Sequence, residues 1–177
     1  MKDVDGLPDK YFLAPVDEAD VNGQASTLSF SRATTVLLTF AANRFARSTG
    51  RLYQQQFGIG AMDWRMLVML TKSPGCNVTK ASRTIGIDKG AVSRSLARLE
   101  KAGLAIAAAN ASSERRRDWT LTSTGRALHN EVLAVALERQ RKLLTGFTLA
   151  DVERFNRYLS KFLENLEDMQ GDTELGQ

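Results

Sequence analysis

The feature that most constrains this fold is a run of short pieces in the middle of a chain whose other periodicities are long. Thr79 supplies an N-cap for a brief helix through Thr84, Gly86 supplies a turn, and Asp88 caps a second helix that reaches about Ala102 and is closed by Gly103. Two short helices joined by a tight turn result. At helical spacing Ala81, Ile85, Ile87, Val92, Leu96 and Leu99 share an inward face, while Lys89, Ser93, Arg94 and Arg98 turn outward. Beyond Gly103, residues 104–109 and 119–122 read as two strands flanking Ala111-Ser-Ser-Glu-Arg-Arg-Arg117, a polar tip with three consecutive arginines. That is a hairpin with a basic loop.

On either side the pattern lengthens. Phe30, Ala33, Leu37, Ala41 and Phe45 fall at helical spacing with no proline before Gln56, which predicts a helix over about 29–56 that Gly58 and Gly60 stop. Residues 61–70 are apolar nearly all round, as a buried helix requires, and Thr71-Lys-Ser-Pro-Gly75 ends them with turn chemistry. A further helix is predicted over about 123–144, with a break at Gly146. Thr148 and Asp151 then form a capping box that opens a last helix reaching about Met169. Along it Val152, Phe155, Leu159, Phe162, Leu166 and Met169 recur at alternating spacings of three and four, the seam of a two-helix contact. So much apolar stripe exceeds what the small central module needs to cover it, which predicts a homodimer held by the first and last helices. Residues 1–26 hold two of the three prolines and lack apolar periodicity, so they read as a flexible acidic arm ahead of a single domain over 27–177.

Charge gives the centre its chemistry. Residues 1–25 hold six acids against Lys2 and Lys10, whereas residues 80–126 hold ten bases against four acids, a local charge of +6 within a net +4. A basic segment of that kind suits a polyanion, because each neutralised phosphate releases counterions. Composition excludes other classes. One histidine, His129, and one cysteine, Cys76, cannot build a zinc site of three or four Cys/His ligands, and no phosphate loop, nucleophile elbow or cofactor motif is present, so neither an enzyme nor a metalloprotein is expected. With no apolar run near the ~20 residues that span a bilayer and no secretory leader, a cytoplasmic protein without membrane contact is expected.

Helix, turn, basic helix and hairpin in this order make a winged helix-turn-helix, in which the second helix enters the major groove and the hairpin tip reaches the neighbouring minor groove. The fold class is thus mainly α with a small β-hairpin wing: the winged module occupies about 61–122, and long dimerisation helices lie over about 29–56 and 123–169. Double-stranded DNA is the expected partner. Arg94 and Arg98, one turn apart, suit phosphate or the O6/N7 edge of guanine, Ser93 can bond either, and Lys89 near the helix start suits a phosphate. Gly90 and Ala91 keep the early turns slim, and Arg115, Arg116 and Arg117 are the wing's contacts.

On these residues the chain resembles the MarR family of transcription regulators. The likeness covers residues 30–169 and is most specific in Val92-Ser-Arg-Ser-Leu-Ala-Arg-Leu-Glu-Lys-Ala-Gly-Leu104 and Leu121-Thr-Ser-Thr-Gly125. It implies a homodimer, joined through the first and last helices, that binds a pseudo-palindromic operator, acts as a repressor, and releases DNA when a small aromatic or phenolic acid binds. Two departures stand out. Ser113 occupies the place of the family's wing Asp, two before Arg115, so the Asp-Arg pair that holds the wing is absent or replaced through Glu114 or Asp118, and no Arg follows Gly103-Leu104. An effector pocket is expected where the first two long helices meet the one after the wing, with Trp64 as an aromatic face and Arg44, Arg65 and His129 as cations. The dimer seam is assigned to Val152, Phe155, Leu159, Phe162 and Leu166. Two rivals are a helical scaffold whose basic surface meets an acidic protein, and a regulator that senses oxidants through Cys76.

Overall fold

A computed structural model of the chain describes residues 6–16, 25–110 and 113–175, with side chains omitted over 109–116 and from 170 onward. It falls into two compact units, one ending at His129 and one beginning at Asn130. The helical expectation and the small wing are both found.

The first unit opens with a small structure that the sequence reading missed. A single turn, α1 (Asp9–Phe12), leads into β1 (Leu13–Pro15), which pairs antiparallel with β2 (Ser26–Leu28) in the register Leu13↔Leu28, Ala14↔Thr27, Pro15↔Ser26. The arm is therefore structured over 9–15 and again from Ser26; residues 1–5 and 17–24 lie outside the described residues. The Ser29 N–H donates to the Phe12 carbonyl at 2.7 Å, and the Arg32 guanidinium donates to the Leu13 carbonyl, which ties the hairpin to the following chain. This is also why the long helix starts late. Residues 29–33 close a separate turn through the Ala33 N–H on the Ser29 carbonyl at 3.0 Å, and α2 runs over Thr34–Phe57 instead of from Ser29. Gly58, at φ 69°, ends it in the left-handed conformation that glycine adopts without strain.

Helix α3 (Ala61–Lys72) packs against α2, against α5 (Lys89–Lys101) and against β4 (Ser113–Leu121), so it is the centre of the unit. Its Met66, Leu67 and Leu70 are buried with Val92, Leu96 and Leu99 of α5 and Tyr53 of α2. Helix α4 covers Val78–Ile85; its cap is Asn77, whose side chain accepts the Lys80 N–H at 2.9 Å, and not Thr79. Thr79 is instead inside the first turn. Between the two helices the Ser82 hydroxyl donates to the Ile87 carbonyl at 2.6 Å, and Asp88 caps α5 by accepting the Ala91 N–H at 2.8 Å.

Strand β3 (Ala105–Asn110) pairs with β4, from Ala105↔Leu121 to Ala109↔Arg117, before the register shifts to Asn110↔Ser113. The three arginines are therefore in the strand and not in a loop: Arg117 pairs with Ala109, and Arg115 and Arg116 fall at the register shift beside it. The outer side of β4 exchanges a bridge with Cys76: the Trp119 N–H donates to the Cys76 carbonyl at 3.0 Å and the Gly75 N–H to the Trp119 carbonyl at 2.9 Å. Leu121-Thr-Ser-Thr-Gly125 then has a geometric reason. The Thr122 hydroxyl donates to the Gly103 carbonyl at 2.8 Å and accepts the Gly125 N–H at 3.0 Å, opening α6 (Ser123–Leu143). A Cβ at Gly125 would stand 1.9 Å from the Leu104 carbonyl oxygen, so only glycine fits.

In the second unit α6 continues to Leu143 and α7 covers Leu149–Leu175. The capping box is present: the Thr148 N–H donates to Asp151 Oδ2 at 3.0 Å and the Asp151 N–H to Thr148 Oγ1 at 3.2 Å. The α7 stripe is largely uncovered within the chain, with Phe155 49% and Leu166 37% exposed and Val152, Leu159 and Phe162 half-buried. No helix among the described residues is long and apolar enough to cross a membrane.

Candidate nucleic-acid interface

The outward side of α5 is built by its inward one. Because Val92, Ser95, Leu96 and Leu99 are fully enclosed, helical geometry leaves Lys89, Gly90, Ser93 and Arg94 facing solvent, and all four are exposed, with Ala91 half-buried. Arg94 leans back toward the helix start, as side chains on a helix do, so that its Nη1 would lie 3.1 Å from a Cβ at Gly90. Glycine at position 90 thus leaves room for the guanidinium. Arg94 has no ion-pair partner among the described residues. Ser93 also borders a groove shared with Asn77, Thr79, Ala97, Glu100 and Trp119.

Arg98 is in a different state. It is paired with Asp63 of α3, with Nη2 2.6 Å from Oδ1 and Nε 3.2 and 3.3 Å from the two oxygens, although its side chain stays 54% exposed. Counting acids at i±4 along α5 could not reveal this partner, which lies 35 positions away. Asp63 itself is 7% exposed and also accepts the Ser95 hydroxyl at 2.6 Å and the Gly60 N–H at 3.2 Å. Neither Asp63 nor Ser95 was expected at the site. The available signal was a lone carboxylate in the apolar run 61–70, since a buried charge is retained only when paired and hydrogen-bonded.

The wing is latched through Arg117. Its Nη2 is 3.4 Å from Glu100 Oε1 on α5, and its guanidinium lies 5.5 Å over the Trp119 ring. Glu100 on α5 is the carboxylate that meets Arg117; the pair expected between Arg115 and Glu114 or Asp118 rests on the Arg115 side chain, which lies outside the described residues. Arg115 and Arg116 belong to β4 by backbone, but their side chains lie outside the described residues.

Of the expected effector residues, the structure joins two. Trp64 and His129 stack with centroids 5.3 Å apart and planes 23° from parallel, and Tyr53 meets Trp64 edge-on at 5.8 Å. His129 is buried, while Arg44 and Arg65 are exposed, and no cation–π contact joins either arginine to these rings among the described residues. Cys76 is buried, and that burial pushes its thiol above the ordinary value despite a smaller opposing influence from Lys80. A thiol kept protonated is a poor nucleophile, which argues against oxidant sensing.

Comparison with known proteins agrees with this geometry. The MarR family model matches residues 57–116. An HTH-type transcriptional repressor of Mycobacterium tuberculosis is 32% identical over 104 residues, which are 59% of this chain and 75% of that protein. The homoprotocatechuate degradative operon repressor of Escherichia coli is 24% identical over 137 residues, 75% of this chain and 93% of that one. Among solved structures, a MarR/EmrR family transcriptional regulator from Acinetobacter sp. ADP1 shares 28% identity at a TM-score of 0.74, covering 80% of this chain and 99% of its own. With the helix-turn-helix, the wing and these likenesses together, the chain belongs to the MarR family, whose members are transcription factors and not enzymes.

Proposed function

We propose that the protein is a cytoplasmic repressor that binds a pseudo-palindromic DNA operator as a homodimer, placing α5 in the major groove. The observation that carries this is the face of α5: a slim first turn with exposed Lys89 and Gly90 and a half-buried Ala91, followed by Ser93 and by Arg94, which has no ion-pair partner among the described residues, on a helix whose other side is locked into the core. Arg94 reads a guanine or grips a phosphate, Lys89 meets a phosphate, and Arg98 offers what its Asp63 pair leaves free. Arg115, Arg116 and Arg117 carry the wing toward the minor groove. Two similar proteins named as repressors support the direction of control.

The homodimer is supported by the apolar stripes left uncovered in one chain. Phe30, just ahead of α2, is 68% exposed, Leu37 and Phe45 within α2 are 44% and 42% exposed, Phe155 and Leu166 on α7 are also exposed, and a two-fold partner would cover the same surfaces on both copies. A small aromatic acid is the proposed effector, acting at the Trp64–His129 stack with Arg44 or Arg65 as its cation. The Escherichia coli relative, named for an operon that degrades an aromatic acid, favours that chemistry. Because the two rings face each other, the acid binds beside the stack or parts it.

Selection of bound fragments from random DNA by the purified protein tests this reading. Enrichment of an inverted repeat with half-sites about one DNA turn apart is expected. Recovery of no sequence, with affinity insensitive to salt, would reject it in favour of an acidic protein partner.

A further inference from the structure

Asp63 is an unusual residue for its place. It lies in the third position of α3, in an apolar run, and is 93% removed from solvent, yet it makes contacts to three separate donors. Capping α3 needs only the Gly60 N–H, which Oδ2 accepts. The other two donors belong to α5. Ser95 Oγ and the Arg98 guanidinium sit three residues apart on one face of the recognition helix, and both converge on the same carboxylate, Ser95 at 2.6 Å and Arg98 through Nε and Nη2. Two anchor points on one helix fix its rotation as well as its depth against α3. A single apolar contact would fix neither, since packed side chains slide more easily than hydrogen bonds change partners.

The same carboxylate decides which part of Arg98 is offered outward. With the Nε and Nη2 side of the guanidinium taken, Nη1 has no partner among the described residues and is the group left to meet DNA. The pair is also close to neutral. Arg98 therefore adds little to the non-specific attraction for phosphate, in contrast to Arg94, which keeps its full charge.

We propose, on the reading of α5 as the DNA-contacting helix, that Asp63 is a positioning residue for sequence recognition: it seats α5 through Ser95 and orients Arg98. Asp63→Asn keeps the size and an acceptor oxygen but removes the charge that holds the guanidinium. Arg98 then becomes a mobile cation. Binding to the selected operator weakens, while binding to random DNA is kept or strengthened, so the ratio of the two affinities falls tenfold or more and the salt slope on random DNA steepens by up to about one.

The experiment measures operator and random-DNA affinities against salt for the wild type, Asp63→Asn and Ser95→Ala, each with its melting temperature. Ser95→Ala removes one of the two anchors that seat α5 without altering a DNA-facing group, and it carries the test if Asp63→Asn fails to fold. A reduced ratio in a variant that is folded at the assay temperature supports the proposal. Variants that melt earlier yet keep the wild-type ratio and slope overturn it, because a merely structural role moves only the melting temperature. If the wild type itself does not discriminate operator from random DNA, it is the DNA reading that fails.

Discussion

The helix-turn-helix and the last helix are both amphipathic, but they dispose of their apolar faces in opposite ways. In the module around α3, Val92, Leu96 and Leu99 of α5 are no more than 1% exposed, and their neighbours Met66, Leu67 and Leu70 come from the same unit. On α7 the stripe is regular in spacing but open, with Phe155 and Met169 49% and 65% exposed. The first region completes its own core; the second leaves much of its apolar face exposed. An amphipathic period thus states that a face will be buried, and only the surrounding elements decide by what.

The strongest way to break that comparison is to charge the open face. Leu159→Glu together with Leu166→Glu should leave the module folded, convert the protein to a monomer in sedimentation, and weaken operator binding by about a hundredfold or more, since two linked half-site contacts become two separate ones. A double variant that stays dimeric would place the interface elsewhere. Next comes the module's own closure. Gly125→Ala drives a methyl into the Leu104 carbonyl and should destabilise the fold by about 3 kcal/mol, read as a lower urea midpoint at unchanged slope.

Smaller, and confined to recognition, is Arg94→Ala: a loss of roughly 1–3 kcal/mol in operator affinity, concentrated at one base position, with the melting temperature unchanged. Smallest is the α7 cap. The Thr148 hydroxyl and N–H hold the Asp151 carboxyl below its ordinary value of 3.8, so the folded state binds that proton less readily than the unfolded one. Its contribution is present above the ordinary value and is lost as pH falls through the lower, folded one. Thr148→Val should therefore lower the melting temperature slightly at neutral pH and flatten the acid limb of its profile, the gap to wild type narrowing as pH falls.

Local chemistry was legible in the residues. Gly58 as a helix stop, Asp88 as the cap of α5, and the Thr148/Asp151 box each depend on groups within a few positions of one another, and each stands as read. What sequence reading missed has distant partners. The β1–β2 hairpin joins short segments on either side of 17–24, and the charged residues of β4 are held extended by pairing to β3. The spacing of Arg98 points to an outward contact because the exposed face of its own helix carries few acids; the carboxylate that holds it comes from α3. Even the wing latch obeys this rule, for Arg117 takes its carboxylate from Glu100 of α5, 17 positions away.

The central claim, that the exposed start of α5 reads DNA for a two-fold assembly, is met most directly by the mass and affinity of the complex on one selected operator. With purified wild type, the account predicts two chains per inverted repeat and a binding constant that falls steeply with salt. It also predicts that Arg94→Ala loses affinity for that operator alone while random DNA is bound nearly as before. One chain per site, or equal salt-titrated affinities of wild type and Arg94→Ala for the operator, would contradict it.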